Sequence, residues 1–257
     1  MRLELVSIET DTYPLDGVFY RPEADAGKGA ILIMHGNCGN FYTGVPRHLA
    51  PLLVQLGYAV LAFNRRGHDI LASTAGERMG GAYQRIHEMI EDNQHAECWL
   101  VTQGFERPIV IGHSNGGMLA VKHCAGSASV RALVLLSAHM GGKNLFRTIS
   151  EAGLMAGKRF DKFSARAREL VAAGAGSELM QVPGWWWIIS AQTFVDYLDV
   201  CPDIWSWRHK CAARCCSCAV IARRSMSILA RPLSSAPPVR RNSRSCPTAI
   251  ISTTGAS

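Results

Sequence analysis

Residues 109–120 read Ile109-Val110-Ile111-Gly112-His113-Ser114-Asn115-Gly116-Gly117-Met118-Leu119-Ala120, and their order decides the fold. The three β-branched residues make a short apolar strand without polar alternation, as in a parallel strand buried on both faces. Gly116 to Ala120 opens a helix with small residues. Between the two, Gly112-His113-Ser114-Asn115-Gly116 predicts a sharp bend that lifts the Ser114 hydroxyl clear of the sheet. Glycines flank it because side chains at those positions would collide. The pentapeptide alone says little, since a glycine-rich strand end is common. The strand before it and the helix after it carry the reading.

The same alternation extends outward. Leu3 to Tyr20 alternates loosely around Asp16-Gly17 and predicts a β-hairpin turning at that pair. Ala30 to Met34 is an apolar run ending abruptly at His35-Gly36, followed by a helix near Pro46 to Leu56 that stops at Gly57. Tyr58 to Phe63 is the next strand, Gly81 to Gln103 a helical stretch, Pro108 to Gly112 a strand, Gly116 to Ala125 a helix and Val130 to Ser137 a strand. Repeated strand-helix-strand units predict an α/β fold with a mostly parallel central sheet and helices on both faces. Between Gly141 and about Ala191 the pattern breaks into helical pieces, read as an insertion over the sheet edge. Trp185, Trp186 and Trp187 within it are read first as packing residues.

A 257-residue chain that is 48% apolar can bury one sizeable core. Met1 to Thr10 lacks the apolar stretch of a secretion signal, and no window reaches the roughly 18 apolar residues of a membrane span. A cytoplasmic protein is expected. The net charge of +7 suggests nucleic acid at first sight, but residues 1–204 hold 18 Lys and Arg against 20 Asp and Glu, whereas residues 205–257 hold nine basic residues and no acidic one. Two compositions meet near residue 204. The chain is therefore read as a core over 1–204, including the insertion at 141–191, and an aberrant basic, Cys-rich tail over 205–257, disordered or poorly packed.

The second chemical signal is His35-Gly36-Asn37, at the end of a buried strand where acyl transfer needs a backbone donor. The main-chain N–H of Asn37 and that of Asn115 are the expected oxyanion-hole pair. His35, Gly36, Gly112 and Gly116 are read as supporting residues, with His35 ordering its loop rather than acting as a base. His113 is read as a packing residue.

The segments His35-Gly36-Asn37-Cys38-Gly39-Asn40-Phe41-Tyr42, Phe63-Asn64-Arg65-Arg66-Gly67-His68 and Gly112-His113-Ser114-Asn115-Gly116-Gly117 resemble the α/β-hydrolase superfamily, in the branch of serine esterases, lysophospholipase-like enzymes and serine aminopeptidase-like hydrolases. The resemblance covers residues 1 to about 204. It implies a mainly parallel sheet and a triad in the order Ser, then Asp or Glu after a later strand, then His near the end. Ser114 is the first member. Residues 205–257 contain no Asp or Glu, and His209 is their only histidine, too close to the insertion for the usual final loop. His139 is a minor candidate for the base.

The genetic code offers a reason. If one base was lost just before Trp205, each intended codon combines the third base of one written codon with the first two of the next. Trp205 to Ala222 then yields E-L-A-P-Q-M-R-C-P-V-L-F-V-R-G-D-R, and Cys246 to Ser257 yields P-D-C-D-H-F-Y-N-G-R-E. These supply a turn, a buried strand, an aspartate and a histidine in the family's order. The last strands of the fold are accordingly expected to be missing here. Cys211, Cys215, Cys216 and Cys218 lack the paired spacing of a zinc site, and the arginines of an out-of-frame segment need no phosphate partner.

The resemblance implies a serine hydrolase cleaving a carboxylic ester, thioester or amide through an acyl-enzyme at Ser114, impaired because the triad acid and histidine are absent. No metal and no organic cofactor is expected. The partner is a small-molecule ester or amide substrate, with no specific nucleic acid and no membrane span; the oligomeric state is not legible. The alternative is a catalytically dead hydrolase-fold binding protein using its pocket or basic tail. Carbon-carbon bond hydrolysis stays open.

Overall fold

The computed structural model describes residues 1–24, 27–74, 76–184, 188–211 and 214–218, the last five as backbone. The chain begins with an antiparallel pair, β1 (Arg2–Ile8) and β2 (Leu15–Arg21), in register from Arg2 opposite Arg21 to Ile8 opposite Leu15. The expected hairpin is present but its turn is not at Asp16-Gly17. Residues 9–14 make the connection, and Gly17 lies inside β2, where an added Cβ would stand 3.0 Å from the Ala62 carbonyl oxygen. This glycine admits a neighbouring strand instead of reversing the chain.

The parallel part follows: β3 (Ala30–Met34), α1 (Gly44–Gln55), β4 (Ala59–Phe63), the small hairpin β5 (Ala72–Thr74) and β6 (Glu77–Met79), and α2 (Ile86–Thr102). Next come β7 (Ile109–His113), α3 (Asn115–Gly126) and β8 (Ala132–Leu136). All five residues of β3 and of β4 are buried, which explains their unbroken apolar runs. The expected strand and helix limits in this region hold to within a few residues, except that the helix read from Gly81 starts at Ile86. The preceding residues form a turn, in which the Tyr83 N–H donates to the Gly80 carbonyl at 3.0 Å, before Gln84 and Arg85 lead into the helix.

The sheet order is β1-β2-β4-β3-β7-β8, closed by a seventh strand, β11 (Arg214–Cys218). From β4 onward every neighbour is parallel. The chain moves one way from β3 to β4 and the other way to β7. The crevice between the carboxyl ends of β3 and β7 is therefore the topological switch point, where open α/β sheets bind ligands.

Residues 141–191 form α4 (Leu145–Glu151), α5 (Phe160–Ala172) and the two-residue strands β9 (Leu179–Met180) and β10 (Ile189–Ser190), leading into α6 (Ala191–Asp199). They share an apolar cluster, including Phe146, Phe160 and Phe194, with Met89 of α2 and Met118 of α3. The helical insertion is thus seated on the sheet's own helices. Trp185 to Trp187 lie outside the described residues.

The described part of the tail continues from the core. After α7 (Ile204–Trp207), Trp207 packs against the sheet core, with Lys122 Nζ 3.1 Å from its ring centroid. β11 then pairs in parallel with β8 from Arg214 opposite Ala132 to Cys218 opposite Leu136. The open edge of β8 presents main-chain donors and acceptors that an extended backbone can satisfy. What was expected of residues 219–257, and of the side chains of Cys215, Cys216 and Cys218, lies outside the described residues. Among the described residues no helix is long and apolar enough to cross a membrane, and no group of three His, Cys, Asp or Glu side chains is placed to hold a metal ion.

Candidate active site

Ser114 stands between β7 and α3 with φ 52° and ψ −119°. A non-glycine residue in that region costs about 1–3 kcal/mol and persists only where its surroundings enforce it. The enforcement is visible. The Ser114 N–H continues the β7–β8 ladder by donating to the Leu136 carbonyl at 3.0 Å, while its own carbonyl accepts from the Gly117 N–H at 3.0 Å. Strand and helix geometry thus meet at one residue.

The flanking glycines are required by space. A Cβ on Gly112 would stand 2.7 Å from the Gly116 carbonyl oxygen, and one on Gly116 would collide with the carbonyl oxygens of Met34 and His35. The first turn of α3 therefore lies directly on the end of β3. Gly36 faces the bend from the other side: a Cβ there would be 3.0 Å from His113 Nδ1 and 3.3 Å from Ser114 Cβ. The structure brings His35, Gly36, Gly112, Ser114, Asn115 and Gly116 together.

His35 is buried behind this contact. Its Nε2 accepts the Arg65 main-chain N–H at 3.2 Å, so the ring proton sits on Nδ1, which donates to the Gly36 carbonyl at 2.8 Å. Burial and then the Arg65 guanidinium hold its pKa well below the usual imidazole range. The ring is neutral and braces the loop. Arg65, itself buried, donates from Nη2 to the His35 carbonyl. Beyond Gly36, the half-buried Asn37 offers its main-chain N–H without an acceptor among the described residues. The Asn115 N–H is the first of α3, one of the donors every helix start leaves without an intrahelical partner.

The family described as serine aminopeptidase, S33, matches residues 25–180. The chain belongs to this α/β-hydrolase family. Solved structures repeat the architecture. The α/β-hydrolase GrgF from Penicillium sp. sh18 aligns with TM-score 0.62 and 13% identity over 84% of this chain and 79% of its own. Est1E from Butyrivibrio proteoclasticus, solved with ferulic acid, gives 0.60 and 16% over 82% and 77%. An esterase of Pyrococcus furiosus gives 0.52 and 18% over 84% and 69%. Identities this low speak for the fold. No curated protein matches the chain.

In this S33-family hydrolase no imidazole or carboxylate among the described residues is hydrogen-bonded to the Ser114 hydroxyl. His139 follows β8, and burial pushes its pKa down to about 4. His113 is half-buried and lowered by the same cause. His209 is exposed on a turn after α7. One imidazole–carboxylate pair lies at the end of β4: His68 Nδ1 is 2.8 Å from Asp69 Oδ2. Asp69 also accepts from Asn40 Nδ2 at 2.7 Å and from the Tyr42 hydroxyl at 2.8 Å, so it ties the loop after β3 to the loop after β4.

Sequence reading missed the side chains that link the site's two halves. Gln84 bonds both Asn37 and Tyr197, and Tyr197 bonds Asn115. No local pattern marks them, since each partner comes from a distant part of the chain.

Proposed function

We propose that this α/β-hydrolase is a serine hydrolase by descent, cleaving a carboxylic ester, thioester or amide through an acyl-enzyme at Ser114, and that the chain as it stands is impaired for want of a triad acid and histidine. The observation that carries the reading is the left-handed backbone of Ser114 between β7 and α3, with the Gly36 loop packed against it. Such a bend aims a hydroxyl at a site flanked by main-chain donors. The Ser114 oxygen attacks the substrate carbonyl carbon, and the negative charge that develops lies between the N–H groups of Asn37 and Asn115. Losing one such donor costs about 3–4 kcal/mol of transition-state stabilisation. Collapse expels the alcohol, thiol or amine, and water then hydrolyses the acyl-serine.

In a complete triad a histidine takes the serine proton and an aspartate orients that histidine. Without them, oxyanion stabilisation and binding leave a residual rate about 10³–10⁴-fold above water. Hydrolysis of p-nitrophenyl acetate by the purified protein and by the chain with the base restored before codon 205 tests the reading. A rate at least about 1000-fold higher after restoration, and lost again when Ser114→Ala is added, supports it; equal rates in the two refute it.

That no partner for the Ser114 hydroxyl lies among the described residues favours a second reading, a binding protein that has kept the hydrolase pocket. Protection of residues 205–257 from limited proteolysis by an acidic polymer supports that alternative.

A further inference from the structure

Four polar side chains form one hydrogen-bonded line between the two loops assigned the oxyanion donors. Gln84 Nε2 donates to Asn37 Oδ1 at 2.7 Å and to the Tyr197 hydroxyl oxygen at 3.1 Å. The Tyr197 hydroxyl in turn donates to Asn115 Oδ1 at 3.2 Å. The directions are forced: an amide nitrogen only donates, so the tyrosine accepts from Gln84 and spends its single proton on Asn115. The line starts at the residue after Gly36 and ends at the residue after Ser114.

Helix α6 anchors this line. Thr193 Oγ1 lies 3.0 Å from the Gln84 carbonyl and 3.1 Å from that of Ala82, and Arg85 Nε lies 2.6 Å from Asp196 Oδ2. The Tyr197 ring stacks on Phe146, with centroids 4.6 Å apart and planes 8° from parallel. The tyrosine and the segment bearing Gln84 are therefore both tied to α6.

The line is not a device for filling space. Gln84 Oε1 and Asn115 Nδ2 are buried without partners among the described residues. Each orphan costs free energy that an apolar side chain of similar shape would avoid. Carrying that cost is expected where polar groups hold a functional geometry.

We propose that Tyr197, acting through Gln84 on Asn37 and directly on Asn115, is a positioning residue that sets the spacing of the two main-chain donors from helix α6. The inference rests on Ser114 being the nucleophile and on those donors forming the oxyanion hole. It makes α6, the helix that follows the insertion, a part of the reaction geometry.

Diisopropyl fluorophosphate reads the geometry directly. Ser114 Oγ bonds to phosphorus, fluoride leaves, the hydroxyl proton passes to the medium, and the phosphoryl oxygen occupies the oxyanion position. Intact-mass kinetics at several reagent concentrations separate KI from kinact. Tyr197→Phe keeps the ring on Phe146 and is expected to lower kinact about tenfold or more with KI unchanged. Gln84→Met lowers it similarly, and the double variant loses no more than the worse single one, because both break the same line. Should Tyr197→Phe not fold, Gln84→Met carries the same comparison. A purely structural role lowers the thermal midpoint and leaves kinact per folded molecule unchanged; that result, or additive losses in the double variant, overturns the proposal. If neither the unsubstituted chain nor the chain with the base restored before codon 205 is modified at Ser114, the nucleophile assignment fails and this inference with it; where only the restored chain reacts, the same variants are compared in it. Modification of the unsubstituted chain with an unaltered kinact in Tyr197→Phe removes the positioning role alone.

Discussion

A β-carbon on Gly36 would lie 3.3 Å from the β-carbon of Ser114. The loop after β3 and the bend after β7 therefore meet where there is no room for a side chain, at the point where the sheet changes direction. Gly36→Ala has to push these loops apart. It is expected to slow the reaction of Ser114 with an organophosphate about 100-fold, because small misplacements of reacting groups are costly, while changing stability by about 1 kcal/mol. Labelling rates and urea midpoints measured on the same preparation check both figures.

Gly116 and Gly126 bracket α3 and differ in their surroundings. Alanine at 116 drives a methyl group into the main-chain carbonyls of Met34 and His35, whereas a Cβ at 126 meets nothing within 4 Å. Backbone cannot step aside as a side chain can. Gly116→Ala is expected to destabilise by about 4 kcal/mol or more, and Gly126→Ala to stay within about 0.5 kcal/mol of the parent. Equal urea midpoints for the two variants contradict the packing described here.

Ser114 is held at φ 52°, a conformation glycine adopts freely. Ser114→Gly should therefore raise stability by about 1 kcal/mol while abolishing covalent modification. A lower thermal midpoint in that variant runs against the strain argument.

Stability should fall on acidification through the histidine range. Burial holds His139 down to about 4, and His35 is lowered in the same direction. The folded state keeps the rings neutral while the unfolded chain binds protons. Their contribution is fully present above pH 6.5 and is lost as pH falls towards the folded pKa, amounting to about 3 kcal/mol for His139 by pH 4. At lower pH Glu97 follows: burial opposes its ionisation, but His123, Ser129 and Ser127 hold its pKa below the usual carboxylate value. That contribution is present above pH 4.5 and is lost as pH falls through the depressed pKa. Urea titrations of the parent and of His139→Phe between pH 7 and 4 should show a shallower slope in the variant.

The parts of this molecule legible in its sequence are those where the chain decides locally. Ala30–Met34 and Ala59–Phe63 are apolar throughout and buried on both faces, so no alternate register competes. The bend at Ser114 is equally local, because its glycines relieve clashes within a few residues and against one adjacent strand end. Asp16-Gly17 misled because a glycine that admits a neighbouring strand looks, in sequence, like one that turns the chain. Gln84 and Tyr197 were invisible for another reason: they stand 113 positions apart and meet through a fold neither specifies alone. The backbone of 214–218 pairs with β8, a main-chain contact that the frameshift reading of the tail does not address.

Ser114 is proposed to be a nucleophile whose triad acid and histidine were lost with one base of the coding sequence. The most direct measurement is the rate at which diisopropyl fluorophosphate modifies Ser114, mapped by peptide mass spectrometry, in the present chain and in one expressed with that base restored before codon 205. Restoration is predicted to raise the rate at least about 1000-fold, with the label on Ser114. Equal rates, or a label on another residue, contradict the account.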